Sequence, residues 1–418
     1  MMEPGAGTHE RQNQTGEPPA EPQSGTARDR TPGAGGRRIA VIYLTPSGGE
    51  LAGRLQQAWP PVKIAFPGRC QDLPPAGHQR GDRLEVLPAA LPLAAMVKEL
   101  WGAFDGFVMI MAVGIVVRLV APLLQSKWSD PGVVAVDEGG QFAVSLVGGH
   151  WGEANRLARE VAACLGAAPV VTTATDVRGK PAIDLLAKQW GLRPVPRERV
   201  KLVSGALLAG ERVEIFSEWQ LSGGRPLNQE EIMPGLESIP CRVLTEWEQG
   251  GPGREEVVPV LVTSRLLALP PRGIFLRPPS LVAGIGCRRG VEAAEIEAAL
   301  EEALRLAGRS RDSLYRLATH QIKEDEAGLL ELARRLELAL KFFPSQRLEQ
   351  VYQAHHGLEH SMFVQRQLGV GNVCETAALA AAPDGVLVLR KTRFKRVTVA
   401  LAEAGSLWSA SGLAIGRI

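Results

Sequence analysis

The chain has 418 residues, enough for two to three domains, and its 45% hydrophobic and 22% charged residues are typical of an ordinary globular protein. A formal net charge of +2 argues against a general polyanion binder, so any attraction to an anionic ligand has to be local. Five scattered cysteines without a CxxC pair indicate reduced thiols in the cytoplasm, and seven histidines without HExxH spacing predict no protein-held catalytic metal. No apolar run approaches a membrane span, so we expect no membrane partner, and the small net charge predicts no nucleic acid partner.

Residues 1–37 are rich in Gly, Pro, Thr, Glu and Arg and nearly free of large apolar side chains, which predicts a disordered tail. In the N-terminal domain that follows, over 38–191, apolar runs alternate with amphipathic segments, which predicts an open, mostly parallel sheet covered by helices. The predicted strands are Arg38–Leu44, Lys63–Phe66, Arg83–Leu87, Gly106–Met111, Val133–Val136, Phe142–Leu146 and Pro169–Thr172. The predicted helices are Glu50–Ala58, Pro92–Trp101, Ile115–Leu124, Glu153–Leu165 and Ala182–Trp190.

Over 192–279 Pro and Gly become frequent and helical periodicity weakens, which predicts a small mixed middle domain that acts as a spacer, a dimerisation element or a lid. A C-terminal α/β domain follows over 280–404, and 405–418 form a tail. The predicted strands of the two domains are Val213–Ser217, Arg242–Thr245, Val257–Val262, Leu281–Ile285, Ser313–Leu317, Leu340–Phe343, Gly385–Leu389 and Arg396–Ala402. The predicted helices are Val291–Leu306, Glu324–Ala339 and Asn372–Ala382. The predicted fold is therefore α/β, with two α/β lobes of mostly parallel sheet joined by a smaller mixed α/β middle region.

Polar and glycine residues follow three strands of the N-terminal domain in close succession. They are Asp137 and Glu138, then Gly148, Gly149, His150, Gly152 and Asn155, and finally Thr173 and Asp176. Because parallel strands present their carboxyl ends at one crevice, we expect these residues to meet there. His150 is suited to act as a general acid or base near neutral pH, and the carboxylates can orient water or take a proton. The alternatives are a tight glycine turn with His150 as a cap, a polar hairpin, and helix capping by the threonines.

Arg118 follows five apolar or glycine positions, so we expect it to be buried beside a real partner, such as a substrate carboxylate. A solvated helix face is the alternative, and for Lys127 we favour it.

The C-terminal domain offers two glycine turns that enter helices. Its candidate ligand-binding residues are Gly286, Arg288, Arg289, Gly371, Asn372, Glu375 and Lys391. Paired arginines at such a turn suit a carboxylate-rich ligand, and a plain turn with solvated arginines is the alternative. Glu375 is either an acid catalyst or, as we favour, a charge that complements the helix dipole, and the basic run that starts at Lys391 is more typical of a solvated edge strand. Cys287 has no neighbouring base in sequence, which disfavours a nucleophile.

The string Gly148–Asn155, with Arg118 and Asp137-Glu138 upstream, and the later turns Gly284–Gly290 and Gly369–Glu375 resemble the CbiG family. These proteins are the cobalt-precorrin-5A hydrolases of anaerobic cobalamin biosynthesis. The resemblance covers roughly residues 38 to 403. The chain departs from the family pattern at Gly148 and Asn372, where serine is usual, and at Gly152-Glu153, where Gly-Gly is usual.

The resemblance implies an enzyme that opens the ring A δ-lactone of cobalt-precorrin-5A and releases acetaldehyde to give cobalt-precorrin-5B. It implies His150 or Glu138 as the base, arginines such as Arg118 for the substrate carboxylates, and backbone N–H groups at Gly149 or Gly286 for the oxyanion. Cobalt arrives inside the substrate, so no cofactor is expected. The expected partner is the anionic cobalt-tetrapyrrole, with room for neighbouring pathway enzymes and a homodimer.

Two other functions are considered. A non-catalytic tetrapyrrole carrier is the main alternative, because the serines usual in the family are absent. A nucleotide-dependent transferase is disfavoured by the missing phosphate-loop spacing.

Overall fold

In the computed structural model, the described residues are 37–58, 92–219, 239–250, 254–362, 365–366, 369–408 and 414–416. The predicted strands Lys63–Phe66 and Arg83–Leu87 and the predicted tail up to residue 36 lie outside them. Over the described ranges the chain forms three five-stranded sheets and one two-stranded sheet, the last pairing Ser406–Trp408 with Ala414–Gly416. No helix in these ranges is long and apolar enough to cross a lipid bilayer.

The N-terminal sheet contains, in spatial order, β1 (Ile39–Tyr43), β2 (Gly106–Ile110), β3 (Gly132–Val136), β4 (Phe142–Val147) and β5 (Ala168–Val170). Strands β1, β2 and β3 are parallel, β4 is antiparallel to β3, and β5 is parallel to β4. The helices are α1 (Pro46–Ala58), α2 (Leu93–Trp101), α3 (Val113–Val120) and α4 (Ala154–Leu165). Helices α1 and α4 pack in one apolar cluster with the sheet, and α2 and α3 in another. Every residue of β2 and β3 is buried, as expected for strands that helices cover on both faces.

The middle sheet contains β6 (Arg193–Val195), β7 (Val213–Ser217), β8 (Cys241–Val243), β9 (Val258–Val262) and β10 (Ile274–Arg277), in the order β6-β10-β9-β7-β8. Only the β6–β10 pair is antiparallel within this described sheet. The helices are α5 (Ala174–Val177), α6 (Ile183–Gln189), α7 (Arg199–Ala209) and α8 (Leu244–Glu248). Ile183 and Leu186 of α6 pack with Val200 and Val203 of α7 in the apolar core of this sheet. Helix α6 therefore belongs to the middle core.

The C-terminal sheet contains β11 (Leu281–Cys287), β12 (Leu314–His320), β13 (Ala339–Phe343), β14 (Val386–Phe394) and β15 (Val397–Glu403), in the order β13-β12-β11-β15-β14. The pairs β11–β12 and β12–β13 are parallel, and β15 is antiparallel to both of its neighbours. The helices are α9 (Ala293–Ala307), α10 (Ala327–Arg335), α11 (Ser345–Ala354) and α12 (Cys374–Ala381). The predicted α/β class, with two lobes and a mixed middle region, is confirmed.

Candidate functional site

His150 lies in the loop between β4 and α4, and both nitrogens of its ring face a carboxylate. Nε2 lies 2.8 Å from Oδ2 of Asp176, and Nδ1 lies 3.1 Å from Oδ1 of Asp184. The Oγ1 atom of Thr175 lies 3.2 Å from the same Nε2. The His150 side chain is 13% exposed, and those of Asp176 and Asp184 are 17% and 10% exposed. Because a carboxylate only accepts hydrogen bonds, both ring nitrogens have to donate, and this favours the protonated imidazolium form of His150.

The electrostatics of this cluster keep His150 charged. Burial lowers the pKa of His150, but hydrogen bonds with Asp176 and Asp184 outweigh it and raise that pKa to about 9. Burial raises the pKa of Asp176, yet hydrogen bonds with His150 and Arg159 lower it overall to about 2. Burial opposes the same effect at Asp184, but His150 and Lys127 still hold its pKa below the usual value. At neutral pH His150 is therefore a cation between two anions, suited to holding charge or donating a proton rather than accepting one.

Asn155 fixes the position of Asp176 from the first turn of α4. Its Nδ2 donates to Oδ2 of Asp176 at 3.0 Å and to Oγ1 of Thr173 at 2.8 Å, and its Oδ1 accepts from Ser145 at 2.8 Å. Asn155 is buried, with 4% exposure. The structure thus brings together His150, Asn155, Thr173 and Asp176, as the sequence predicted.

The same loop joins the N-terminal domain to the middle domain, which the sequence did not predict. Asp184 belongs to α6, and so does Lys188, which donates to the carbonyl oxygen of Trp151 at 2.6 Å and lies 3.2 Å from Oε1 of Glu153. The ring of Trp151 meets that of Trp128 edge-on at 4.9 Å. We call these residues, together with His150 and Asp176, the junction cluster. No spacing rule links positions 150 and 184, so the sequence offered no signal for this partner.

Glu153 of the junction cluster stands in a backbone conformation that favours glycine, with φ at 62°. Its carboxylate contacts Arg37 at 3.1 Å, Arg156 at 2.6 Å and Lys188 at 3.2 Å. Burial raises the pKa of Glu153, but Lys188 and Arg156 lower it overall to about 2. Ion pairs therefore hold this glutamate in a strained backbone conformation.

The glycines of the loop serve close packing. Gly148 has φ at +70°, and a Cβ there would lie 3.0 Å from the carbonyl oxygen of Pro131. A Cβ on Gly152 would lie 2.9 Å from the amide nitrogen of Gly132. The loop has to pass this close to the start of β3, and a serine at Gly148 would be strained in this conformation.

The expectation that Asp137 and Glu138 share a crevice with His150 is wrong. Because β3 and β4 are antiparallel, Val136 pairs with Ala143 and Val133 pairs with Val147. The last residues of β3 and of β4 therefore lie on opposite sides of the sheet along the strand direction, and we call these two sides its edges. The β3–β4 turn thus holds Asp137 and Glu138 at the edge where β1 and β2 also end.

The carboxylate of Asp137 closes this β3–β4 turn. It accepts backbone N–H groups of Gly139 at 3.0 Å, Gln141 at 2.9 Å and Phe142 at 2.6 Å. Glu138, by contrast, is exposed. The polar-hairpin alternative therefore describes Asp137, whereas Glu138 is presented to water.

The expected burial of Arg118 is also wrong. Arg118 is exposed, and its Nη1 donates to the carbonyl oxygen of Gly114 in its own helix at 2.9 Å. Helix α3 buries only Val116 and Val120, so the apolar residues before Arg118 do not enclose it. Lys127 is 44% exposed, as favoured, and its Nζ lies 3.5 Å from Asp184.

In the C-terminal domain the first glycine turn points its arginines outward. Arg288 is exposed, and Arg289, 63% exposed, pairs with Asp325 at 2.9 Å. A Cβ on Gly286 would meet Oγ1 of Thr398 at 2.6 Å, so this glycine allows β11 and β15 to pack closely. Burial raises the pKa of the Cys287 thiol, which disfavours a nucleophile further.

The second glycine turn belongs to a buried network around Glu375. The Glu375 carboxylate accepts from Nδ2 of Asn372 at 2.6 Å and from the backbone N–H groups of Glu359 at 3.1 Å and Lys391 at 2.9 Å. Nζ of Lys391 lies 3.2 Å from Glu359, and its side chain is only 9% exposed, so the expectation of a solvated strand is wrong for Lys391. A Cβ on Gly371 would lie 2.9 Å from the ring of His360. Donors on three segments satisfy Glu375, so this network ties the turn to edge strand β14.

No group of three or more His, Cys, Asp or Glu side chains in the described part of the chain is arranged to hold a metal ion.

Known protein families match all three domains of the chain, in the same order. Sequence models of the N-terminal, central and C-terminal regions of cobalamin synthesis protein G match residues 95–176, 181–278 and 281–402. A cobalt-precorrin-5A hydrolase of Priestia megaterium is 30% identical over 87% of this chain and 94% of its own length. The enzyme of that name from Salmonella typhimurium is 31% identical over 88% of this chain and 97% of its own length.

Two solved structures are also similar. A homolog of cobalamin biosynthesis protein G from Sulfolobus solfataricus is 20% identical, with a TM-score of 0.33, over 88% of this chain and 97% of its own. CobE, of the cobalamin (vitamin B12) biosynthetic pathway, is 37% identical, with a TM-score of 0.28, over 30% of this chain and 89% of its own. The resemblance found in the sequence is confirmed by the full-length relatives: the chain belongs to the CbiG family of cobalamin biosynthesis, a family of hydrolases.

Proposed function

We propose that this protein hydrolyses cobalt-precorrin-5A, opening the ring A δ-lactone and releasing acetaldehyde to leave cobalt-precorrin-5B. The observation that supports this proposal is the similarity, at 30% and 31% identity over 87% and 88% of the chain, to two relatives named for the hydrolysis of that compound. The lactone and acetaldehyde steps are those implied by the family resemblance. Hydrolysis requires no resident cofactor, and cobalt enters within the macrocycle.

The reaction needs a base and an acid at different stages. A base removes a proton from water as its oxygen adds to the lactone carbonyl, and donors stabilise the resulting oxyanion. Collapse of that oxyanion breaks the acyl C–O bond and frees a hydroxyl group. When the hydroxyl loses its proton, the carbonyl of acetaldehyde forms and the neighbouring C–C bond breaks. Its electron pair passes to the macrocycle, which takes up a proton.

Glu138 is the better base of the two candidates. It is exposed beside the end of β3, on a turn that Asp137 holds in shape through three backbone hydrogen bonds. His150 already carries a proton between two carboxylates, and it lies at the opposite edge of the sheet. The two residues therefore cannot act on the same atom. In this proposal Glu138 activates water, and His150 with Asp176 fixes the N-terminal domain against the middle domain.

The test is incubation of the pure protein with cobalt-precorrin-5A and no nucleotide, with released acetaldehyde trapped and the tetrapyrrole mass followed in parallel. We expect stoichiometric acetaldehyde and a matching mass loss. Glu138→Gln should lower turnover at least 100-fold, the usual contribution of a general base, with binding retained. The matched control Glu324→Gln, on the C-terminal domain, should leave turnover unchanged. Tight binding without acetaldehyde would favour the carrier. A protein that neither binds the compound nor releases acetaldehyde would have neither function.

A further inference from the structure

Apolar side chains are unusually exposed where β1 and β2 end. Leu44, just after β1, is 47% exposed. In α3, which follows β2, Val113 is 44%, Ile115 is 38% and Val117 is 48% exposed, and Leu124 beyond the helix is 43% exposed. Single exposed apolar residues are ordinary, but three on one short helix, at Val113, Ile115 and Val117, mark a candidate binding surface.

The geometry of α3 places a cation in the middle of this exposed face. At 100° per residue, Val116 and Val120 share the buried side, and Arg118 projects from the opposite side. Ile115 and Val117 flank Arg118 on its two sides. The helix therefore presents a guanidinium group between apolar side chains.

A second cation lies beside this face. A cleft of about 330 Å³ between α2 and α3 is lined by Lys98, Arg118, Leu119 and Leu123, among others. Lys98 is exposed, and no carboxylate of the described residues lies within ion-pair distance of Lys98 or Arg118. Two cations next to one apolar surface, with no counter-charge among the residues that the structure describes, suit an anionic ligand with an apolar body.

The position of this surface relative to Glu138 adds to the argument. The N–H of Met111, between β2 and α3, donates to the carbonyl oxygen of Val136 at 3.0 Å. The segment that begins α3 and the turn that presents Glu138 therefore leave the sheet side by side. A ligand that covers the first turn of α3 therefore lies beside the candidate base.

We propose that the exposed face of α3 and the adjoining cleft bind one face of a carboxylate-rich macrocycle, with Arg118 and Lys98 pairing with carboxylates on its rim. A flat apolar ring with an anionic rim matches the arrangement of apolar side chains around two cations. The identity of the macrocycle as a cobalt tetrapyrrole rests on the proposed function.

The test measures binding of two probes to the full chain by absorbance titration. The first is cobalt uroporphyrin, whose rim is fully carboxylated, and the second is cobalt mesoporphyrin, which has few carboxylates. We expect Arg118→Met to weaken uroporphyrin binding about tenfold, and Arg118→Met with Lys98→Met about 100-fold, because each charge-assisted pair contributes about that factor. Mesoporphyrin binding should change less. The control Arg334→Met, 72% exposed on α10, should change neither.

Unchanged uroporphyrin affinity in the double variant would overturn the proposal. A wild-type dimer that Val117→Lys converts to monomers without loss of probe binding would also overturn it, because the face would then be an interface between copies. The two proposals fail separately. Acetaldehyde release without dependence on Arg118 would leave the hydrolase and remove this surface, whereas Arg118-dependent binding without acetaldehyde would do the reverse.

Discussion

At one edge of the N-terminal sheet, where β4 and β5 end, His150 and Asp176 lie largely buried beside Asp184 of α6, a helix of the middle domain. At the other edge, where β1, β2 and β3 end, Glu138 faces solvent, and α3, which starts from this edge, exposes apolar side chains and Arg118. The sequence places its densest polar motif at the first edge, yet among the described residues the second edge exposes more apolar surface. A cluster of polar residues after strands can thus connect two domains, and the ligand surface proposed above lies on a helix that no polar motif marks.

The first edge depends on charges that have been removed from water. His150 is flanked by two carboxylates, and Lys188 bridges Glu153 and the Trp151 carbonyl. In such networks the loss of one member leaves an uncompensated buried charge, which costs more than the intact pair contributes. Substitutions at the first edge should therefore reduce stability, whereas substitutions at the second should affect ligand binding.

The largest effect is expected from His150→Ala. It leaves Asp176 and Asp184 facing each other with only the more exposed Arg159 and Lys127 to offset their charges, and we expect a loss of about 3 kcal/mol in the free energy of unfolding. Turnover should fall with it, because the two domains lose their fixed orientation, while binding of cobalt uroporphyrin at the α3 face is retained. Urea denaturation and probe titration measure the two quantities.

The matched control for that variant is His356→Ala, which changes an exposed histidine of the C-terminal domain. It should alter neither stability nor binding. If His150→Ala proved as stable as the control, the junction cluster would not have the energetic role assigned to it.

The stability that His150 contributes should depend on pH. Its pKa is about 9 in the folded chain and near 6.5 when unfolded, so the folded state binds the proton more tightly. The contribution is complete below about pH 6.5 and is lost as pH rises through about 9, amounting to about 3 kcal/mol at most. Urea unfolding at several pH values, for the wild type and His150→Asn, isolates it. Parallel curves for the two proteins between pH 6.5 and 9 would contradict the assignment.

A smaller change is expected from Asp184→Asn, which removes one of the two carboxylates beside His150. The pKa of His150 should move down towards its ordinary value by about one unit, measured by NMR titration of the labelled imidazole. Glu138→Gln is the control, because it sits at the opposite edge and should leave this pKa unchanged. A shift of similar size in both variants would mean that the two edges are not separated as β3 and β4 place them.

Much of the fold could be predicted because its strands are buried on both faces. The apolar runs predicted as Gly106–Met111 and Val133–Val136 match β2 and β3 within a residue. Helix α7 was missed because its own apolar residues are spread around most of the helix, so its sequence lacks the separate apolar and polar faces of an amphipathic helix. A periodicity of two or 3.6 reports the type of an element and not its direction.

Direction is the reason that the site was predicted only in part. The short turn from Asp137 to Gln141 reverses the chain, so β4 delivers His150 to the edge away from Glu138. His150, Asn155 and Asp176 could be grouped because β4 and β5 are parallel. Asp184 could not, because its place depends on how the middle domain packs against the loop.

The smallest effects concern the strained backbone at Glu153. Glu153→Ala keeps a Cβ in the left-handed conformation and removes the ion pairs with Lys188 and Arg156, so both terms reduce stability. Glu153→Gly removes the same ion pairs but relieves the strain, and we expect it to be more stable than the alanine variant by about 1 kcal/mol. Thermal unfolding of the pair measures the difference, which contains no ion-pair contribution. Equal stabilities would mean that this backbone conformation costs nothing at Glu153, and the ion pairs would then have no strain to offset.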